Sequence, residues 1–295
     1  MKNRVFIFAQ YLTPQHALSR AAGFFAKTEN PSIKHYLITT FANTYNVNME
    51  EALEPDLKQY KNFNAFFTRQ LKPNARPIDN AANSFASPAD GAISQLGQIN
   101  VQRIFQAKGH DYQVKDLLGG NESLSELFLN GSFATVYLSP KDYHRVHMPI
   151  DGTLKEMLYI PGDLFSVNTA TSENVPNLFA RNERVVCIFE TEYGPMAIIL
   201  VGAMIVAGIE TVWAGEVAPA ERKLAVTHYN QDDLQDIRLK KGEEMGRFKL
   251  GSTVILLFGE NKVVWDSSLK EGAAVRMGES MGAGVEAEVN TGNGI

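Results

Sequence analysis

Leu250-Gly251-Ser252-Thr253 opens an apolar, β-branched run that continues through Val254-Ile255-Leu256-Leu257-Phe258. A serine directly after a glycine has a sterically open carbonyl beside its hydroxyl, and the run that follows can hold the bond in a rigid strand. Such a serine could attack its own chain. Attack of Ser252 Oγ on the Gly251 carbonyl converts the amide to an ester, and β-elimination then frees the Gly251 carboxylate and leaves dehydroalanine at position 252. Hydrolysis of that species gives a pyruvoyl group, a self-made carbonyl cofactor able to form a Schiff base with an amine and act as an electron sink. Such an alcohol needs a base, because it is a poor nucleophile near neutral pH.

Three further segments stand in order before it: Phe66-Phe67-Thr68-Arg69, Ser87-Pro88-Ala89-Asp90-Gly91 and Asp142-Tyr143-His144-Arg145-Val146-His147-Met148-Pro149. Alone, Gly-Ser-Thr reads as a turn. In this company it resembles the bacterial phosphatidylserine decarboxylase proenzymes, over about Phe63 to Gly282. The resemblance implies cleavage between Gly251 and Ser252, giving a large β chain (1–251) and a small α chain (252–295) that stay together as a heterodimer, with any higher oligomer left open. It also implies a pyruvoyl cofactor derived from Ser252 and phosphatidylserine as substrate, decarboxylated to phosphatidylethanolamine.

His147 is the leading candidate for the base. Asp90 matches the family's position for the carboxylate that orients such a histidine, so Asp90, His147 and Ser252 form the expected maturation triad. Taken singly, Asp90-Gly91 reads as a turn and His147 as a hydrogen-bonded polar residue at a strand end. His144 is assigned by the resemblance, and by its place two residues after Asp142, to return a proton to the decarboxylated carbon or to assist electrostatically. An extended segment would put His144 and His147 on different faces, whereas a helical turn would bring them together. No third ligand accompanies them, so no metal is expected. Nothing marks a phosphate cradle for pyridoxal phosphate either. Gly162-Asp163-Leu164-Phe165-Ser166-Val167-Asn168 is a second candidate segment: Leu164, Phe165 and Val167 for an apolar wall, Ser166 and Asn168 for the head group, with ordinary loop packing as the alternative. Arg69 could bind a phosphodiester or brace an ion pair.

The composition of 295 residues, 44% hydrophobic and 21% charged, is that of a folded globular chain. Its one cysteine, Cys187, excludes an internal disulfide and sits in Val185-Val186-Cys187-Ile188-Phe189, which reads as a buried strand. Met196 to Ile209, the longest nearly apolar stretch, is shorter than the roughly 18 residues of a membrane-spanning helix. No secretory signal is evident at the start, and a cytoplasmic location is expected. The net charge of -5 hides an uneven distribution, since residues 1–49 carry Lys2, Arg4, Arg20, Lys27 and Lys34 against Glu29 alone. Phe6, Phe8, Tyr11, Phe24 and Phe25 lie among these cations, as in helices resting on an anionic bilayer surface. Nucleic acid is disfavoured, because the cations are sparse.

Residues 1–62 read as amphipathic helices, with Thr13-Pro14 and Asn30-Pro31 as start signals. Their apolar faces either pack on the protein's own core, the commoner fate, or dock on a membrane at the cytoplasmic face. From Ser87 onward short apolar runs alternate with Gly, Pro and Asn. Strands are expected at Ser132–Leu138, Gly152–Ile160, Arg184–Glu190, Met196–Val206, Thr253–Phe258 and Lys262–Trp265, and short helices near Val114–Leu118 and Ser123–Leu129. Gly259-Glu260-Asn261 reads as a hairpin turn joining the last two strands. The expected fold is α+β: N-terminal helices, then a mainly antiparallel sandwich or barrel-like catalytic domain over 63–282 and a mobile tail over 283–295. Two other classes use the same residues, a serine hydrolase acting on an external ester or peptide and a non-catalytic lipid-binding domain. A hydrolase would keep one chain with Ser252 intact.

Overall fold

A computed structural model describes residues 2–204, 208–229, 236–249 and 252–285. Four helices come first: α1 (Lys2–Leu12), α2 (Gln15–Ala26), α3 (Pro31–Tyr45) and the single turn α4 (Phe63–Phe67). Asn30 caps α3 as expected, its side-chain oxygen accepting from the Ser32 and Ile33 amides, with Pro31 inside the first turn. Thr13 does not cap α2. Its hydroxyl instead donates back to the Ala9 carbonyl at 2.7 Å, closing α1.

The β region is antiparallel throughout its strand pairs. Its main sheet has nine strands among the described residues. In spatial order they run Ala225–His228, Gly152–Ile160, Arg184–Thr191, Gly194–Val201, Ser252–Phe258, Ser132–Leu138, Gly91–Gln98 and Ala274–Val275, with Arg238–Leu239 also paired to Gly152–Ile160. This path stays open, so the architecture is a sandwich and not a closed barrel. A four-stranded sheet holds Gly215–Ala218, Ile209–Thr211, Glu244–Phe248 and Arg145–His147, and a three-stranded sheet holds Ser84–Ala86, Ser280–Gly284 and Val263–Trp265.

Ser252–Phe258 lies inside the large sheet, paired on one edge with Ser132–Leu138 and on the other with Gly194–Val201. Every one of its residues is buried. Strand side chains alternate between faces. Ile255 and Leu257 enter a core with Phe133, Ile199, Phe165 and Phe179, while Val254, Leu256 and Phe258 enter another with Val146, Ile209 and Phe248 of the four-stranded sheet and with Met148 just beyond it. An apolar strand with no alternation is what burial on both faces demands. Cys187 is buried in the adjacent region of the same sheet.

Gly259-Glu260-Asn261 does not make a hairpin. Both edges of Ser252–Phe258 are already occupied, so the chain crosses to the small sheet, where Val263–Trp265 pairs with Ser280–Gly284. Ala283 and Gly284 belong to that last strand, which places the start of the expected tail inside the fold; residues 286–295 lie outside the described ones. The predicted strand from Met196 is observed as Gly194–Val201.

The N-terminal helices are joined to the body in two ways. Ala26, Ile38 and Ala42 share a core with Phe63, Phe66 and Phe67. Gln10 and Gln15 accept from the Ser166 and Leu164 amides at 2.9 and 2.6 Å. Their outer face remains apolar and open: Phe8 is 64% exposed, Leu12 69%, Phe24 75% and Tyr36 68%. A large exposed apolar surface, unlike scattered exposed residues, marks an interaction face. Among the described residues no helix is long and apolar enough to cross a membrane.

Candidate active site

Ser252 begins the buried central strand because the β-branched Thr253-Val254-Ile255 run favours extended backbone. In register it lies opposite Leu138. The Ser132–Leu138 strand then gives way to residues 139–144, where the Asp142 carboxylate accepts from the Ser139 amide at 2.7 Å. The chain becomes extended again at Arg145–His147, and the Phe248 amide donates to the His144 carbonyl at 3.0 Å. Residues 138 and 144 are thus matched with 252 and 248. The stretch from Leu138 to His144 therefore joins the partner of Ser252 to the partner of Phe248. Leu250 and Gly251, and with Gly251 the bond expected to break, lie outside the described residues.

Ser252 Oγ is buried with no hydrogen-bond partner among the described residues, and so is His144 Nε2. Each such atom costs about 1–3 kcal/mol, which makes two of them a feature that asks for a reason. His144 Nδ1 lies 2.9 Å from the Asp142 carbonyl, which can only accept, so the ring proton sits on Nδ1 and the Nε2 lone pair is open. The Phe67 ring covers the imidazole at 4.1 Å between centroids. Burial pushes the His144 pKa down to about 3, so the ring is neutral at neutral pH.

His147 lies on an extended strand with His144 just before it, so the two rings have different surroundings. The His147 Nδ1–H donates to the Gly242 carbonyl at 2.8 Å, and Nε2 accepts from the Tyr143 hydroxyl at 3.0 Å. Its pKa is lowered by burial, against the raising effects of the Gly242 bond, Glu244 and Asp90. Gly242 adopts φ +82°, and a Cβ there would come within 2.8 Å of Ile78, so a glycine is required to present this carbonyl. The His147 amide donates to the Pro88 carbonyl at 2.8 Å, which brings the Asp90 segment alongside.

Asp90 is not hydrogen-bonded to His147. Its carboxylate accepts from Arg76 Nε at 2.8 and 3.0 Å, from Arg76 Nη2, and from the Met277 amide at 2.9 Å. Arg76 also pairs with Glu51 at 2.8 Å. Its own pKa is raised, chiefly by the bond to Asp90. The structure therefore brings the Asp90 and His147 segments together through the main chain but gives the three expected triad side chains no mutual hydrogen bond. Tyr143, Gly242 and Arg76 were missed in the sequence. Tyr143 alone left a signal there, four residues before His147 in the same motif.

The second candidate segment is used internally. Phe165 is buried, its ring 5.0 Å from Tyr11 and 4.6 Å from the Arg181 guanidinium carbon. Asn168 caps the Thr169–Ser172 turn by accepting from the Thr171 amide. The Ser166 amide donates to Gln10. Arg69, for which the sequence suggested a phosphodiester or an ion pair, makes no ion pair among the described residues; its Nη2 donates to the Lys141 carbonyl at 3.1 Å and faces that of Asp142 at 3.5 Å. An apolar cavity of about 490 Å³ lies between α2, α3 and α4, lined by Phe25, Tyr36, Phe41, Phe67, Pro140 and Met204 among others. Phe67 is thus a wall of this cavity and the cover of His144.

The family model described as Phosphatidylserine decarboxylase matches residues 63–283, three quarters of the chain. The chain belongs to the phosphatidylserine decarboxylase family. It is therefore a member of a family of decarboxylating enzymes. The matched span begins at the first residue of α4 and ends in the last strand, taking in Asp90, His144, His147 and Ser252, and a second family model, described as PSD, covers residues 5–46 in α1–α3. Proteins called phosphatidylserine decarboxylase proenzyme from Pseudomonas putida and Pseudomonas entomophila are 58% and 59% identical over 287 residues, 97% of this chain and the whole of each relative. One from Ectopseudomonas mendocina is 58% identical over 282 residues, 96% of this chain and 99% of its own.

Proposed function

We infer that this phosphatidylserine decarboxylase family member decarboxylates phosphatidylserine to phosphatidylethanolamine and carbon dioxide, using a pyruvoyl group that it makes by breaking its chain between Gly251 and Ser252. The observation that carries the reading is the pair of buried atoms, Ser252 Oγ and His144 Nε2, that have no hydrogen-bond partner among the described residues. A hydroxyl that is to attack its own chain and depart with the Gly251 carboxylate has no need of a permanent partner. A pyruvoyl group there would supply an electrophilic carbonyl for the substrate amine and a sink for the electrons released with carbon dioxide.

In maturation, His147 takes the Ser252 hydroxyl proton, and Oγ forms a bond to the Gly251 carbonyl carbon as the Gly251–Ser252 amide bond breaks. A base then removes the Ser252 α-proton as the Cβ–Oγ bond breaks and the Gly251 carboxylate departs with Oγ, and water hydrolyses the resulting dehydroalanine, supplying the keto oxygen and releasing the nitrogen as ammonia. The Gly242 carbonyl fixes which nitrogen of His147 accepts, once Tyr143 yields its place. Asp90 favours the protonated imidazole by its charge and not by contact. In turnover, His144 Nε2 is an open acceptor on a neutral ring. It takes the proton that the substrate ammonium sheds and returns one to the carbon that has lost carbon dioxide.

The lipid substrate is reached from a membrane. The exposed Phe8, Leu12, Phe24 and Tyr36 with Arg20 and Lys27 suit an anionic cytoplasmic leaflet, to which the protein binds peripherally, and the apolar cavity behind Phe67 suits the acyl region. The cleaved chains, 1–251 and 252–295, stay associated, because Ser252–Phe258 is locked between two strands of the large sheet. Purified protein incubated with vesicles of carboxyl-labelled phosphatidylserine should release labelled carbon dioxide, and Ser252→Ala should release none. Release by the alanine variant would refute the pyruvoyl reading.

A further inference from the structure

Arg69 is a buried cation with no carboxylate partner, and its Nε has no hydrogen-bond partner among the described residues. Burial lowers its pKa, but a guanidinium keeps its charge in any protein setting. Such a group is costly to bury, so its position calls for a use. Its contacts point to one. Nη2 donates to the Lys141 carbonyl and lies within 3.5 Å of the Asp142 carbonyl. That second carbonyl is the one that accepts the His144 Nδ1–H.

We propose that Arg69 is a positioning residue for His144: it pins the Lys141 and Asp142 carbonyls, so that the imidazole keeps its proton on Nδ1 and presents an open Nε2 lone pair toward the Ser252 segment. The proposal rests on His144 acting in decarboxylation. Phe67 and Arg69 leave the same short turn, whose Phe63, Phe66 and Phe67 are anchored against Ile38 and Ala42 and whose start is capped by Asn62. Phe67, at the end of the turn, covers the face of the ring, and Arg69, just beyond it with its amide donating to the Phe66 carbonyl, holds the acceptor that selects its tautomer. Two contacts from one rigid element fix both the plane of the ring and its protonation pattern.

Charge adds to the effect. The charged groups around the ring are Arg69, from the turn after α4, and Asp142, on the histidine's own segment, whose carboxylate is turned to the Ser139 amide. The Glu244–Phe248 strand meets His144 through the Phe248 amide; its Glu244 and Arg247 pair with each other, and Lys249 pairs with Glu210 and Glu216. Arg69 therefore faces the ring as a positive charge and opposes its protonation.

The test uses the full-length matured enzyme, labelled with ¹⁵N-histidine, in mixed micelles. Wild type should show His144, assigned by its loss in His144→Gln, as the Nδ1–H tautomer in long-range ¹H–¹⁵N spectra. Arg69→Gln should lose that preference, lower kcat about tenfold or more with KM within about twofold, and move the acid limb of the pH–rate profile upward. Arg69→Lys, which keeps a cation and a donor, should recover most of kcat and return the acid limb. An unchanged tautomer in Arg69→Gln overturns the proposal, as does a raised KM at unchanged kcat, which would make Arg69 a substrate anchor. Should Arg69→Gln not fold, a loss of the tautomer in Arg69→Lys overturns the proposal just as directly. If His144→Gln matures and decarboxylates at full rate, the role of His144 fails, while the tautomer readout still decides that of Arg69.

Discussion

The two histidines of one short motif differ in what touches their nitrogens, and the tasks proposed for them differ accordingly. His147 has both occupied, by Tyr143 and Gly242, and lies beside the Asp90 segment. His144 has one nitrogen without a partner among the described residues, its ring covered by Phe67. His147→Ala should therefore remain uncleaved on a denaturing gel, whereas His144→Ala should cleave at least in part and lose most of its decarboxylation rate. Equal cleavage defects in both would end this division of labour. The same burial makes a pH prediction. Unfolded, His144 titrates near 6.5, and folded at about 3, so below 6.5 the unfolded chain binds protons that the native one refuses. The contribution of His144 to stability is full above 6.5 and is lost as pH falls from there toward about 3. His147 acts in the same direction. In denaturant titrations between about pH 6.5 and 5, His144→Gln should lose stability less steeply than wild type; equal slopes would show that His144 is not held neutral. The identities of these residues were readable in the sequence, since they share compact motifs. Their partners were not. Arg76 reaches Asp90 across 14 positions of chain and Gly242 reaches His147 across 95, and only the closed fold brings them together.

At the scale of elements, what is local was legible and what depends on a neighbour was not. Val185 to Phe189 and Thr253 to Phe258 announce buried strands by apolar, β-branched composition, and Asn30-Pro31 announces a helix start by cap chemistry. The turn at Gly259-Glu260-Asn261 looked like a hairpin because a turn sequence records its own bend and not whether the strand before it has a free edge. Asn168 and Phe165 read in the sequence as ligand contacts, and their internal roles as cap and packed ring leave no mark there. The apolar residues of α1–α3 divide between two surroundings. Ile38 and Ala42 pack on Phe63, Phe66 and Phe67, whereas Phe8, Phe24 and Tyr36 face outward. Deleting these helices would strip the support from Phe67 and confuse docking with catalysis. Substituting the outward residues separates the two. Phe8→Ser with Phe24→Ser and Tyr36→Ser should weaken sedimentation with anionic vesicles at least tenfold, roughly the worth of more than 1.4 kcal/mol of lost apolar burial, while leaving self-cleavage unchanged. Salt should reduce wild-type binding only in part, because it screens Arg20 and Lys27 beyond about 8 Å but not inserted rings. Unchanged binding by the triple variant would move the membrane face away from α1–α3.

For the molecule as a whole, one sheet strand begins at the serine proposed to carry the chemistry and would hold the two expected chains together. Ser252–Phe258 is hydrogen-bonded along both edges and buried on both faces, so a cut just before it would release an end without releasing the strand. The fold thereby accounts for how a chain could break itself and remain one body. The intact mass of the purified protein under denaturing conditions tests this most directly. Two fragments are predicted, residues 1–251 and 252–295, the smaller lighter by one ammonia than a fragment that begins with serine, while Ser252→Ala remains one chain. A single full-length species from active wild-type protein, or a smaller fragment that still begins with serine, would contradict the account.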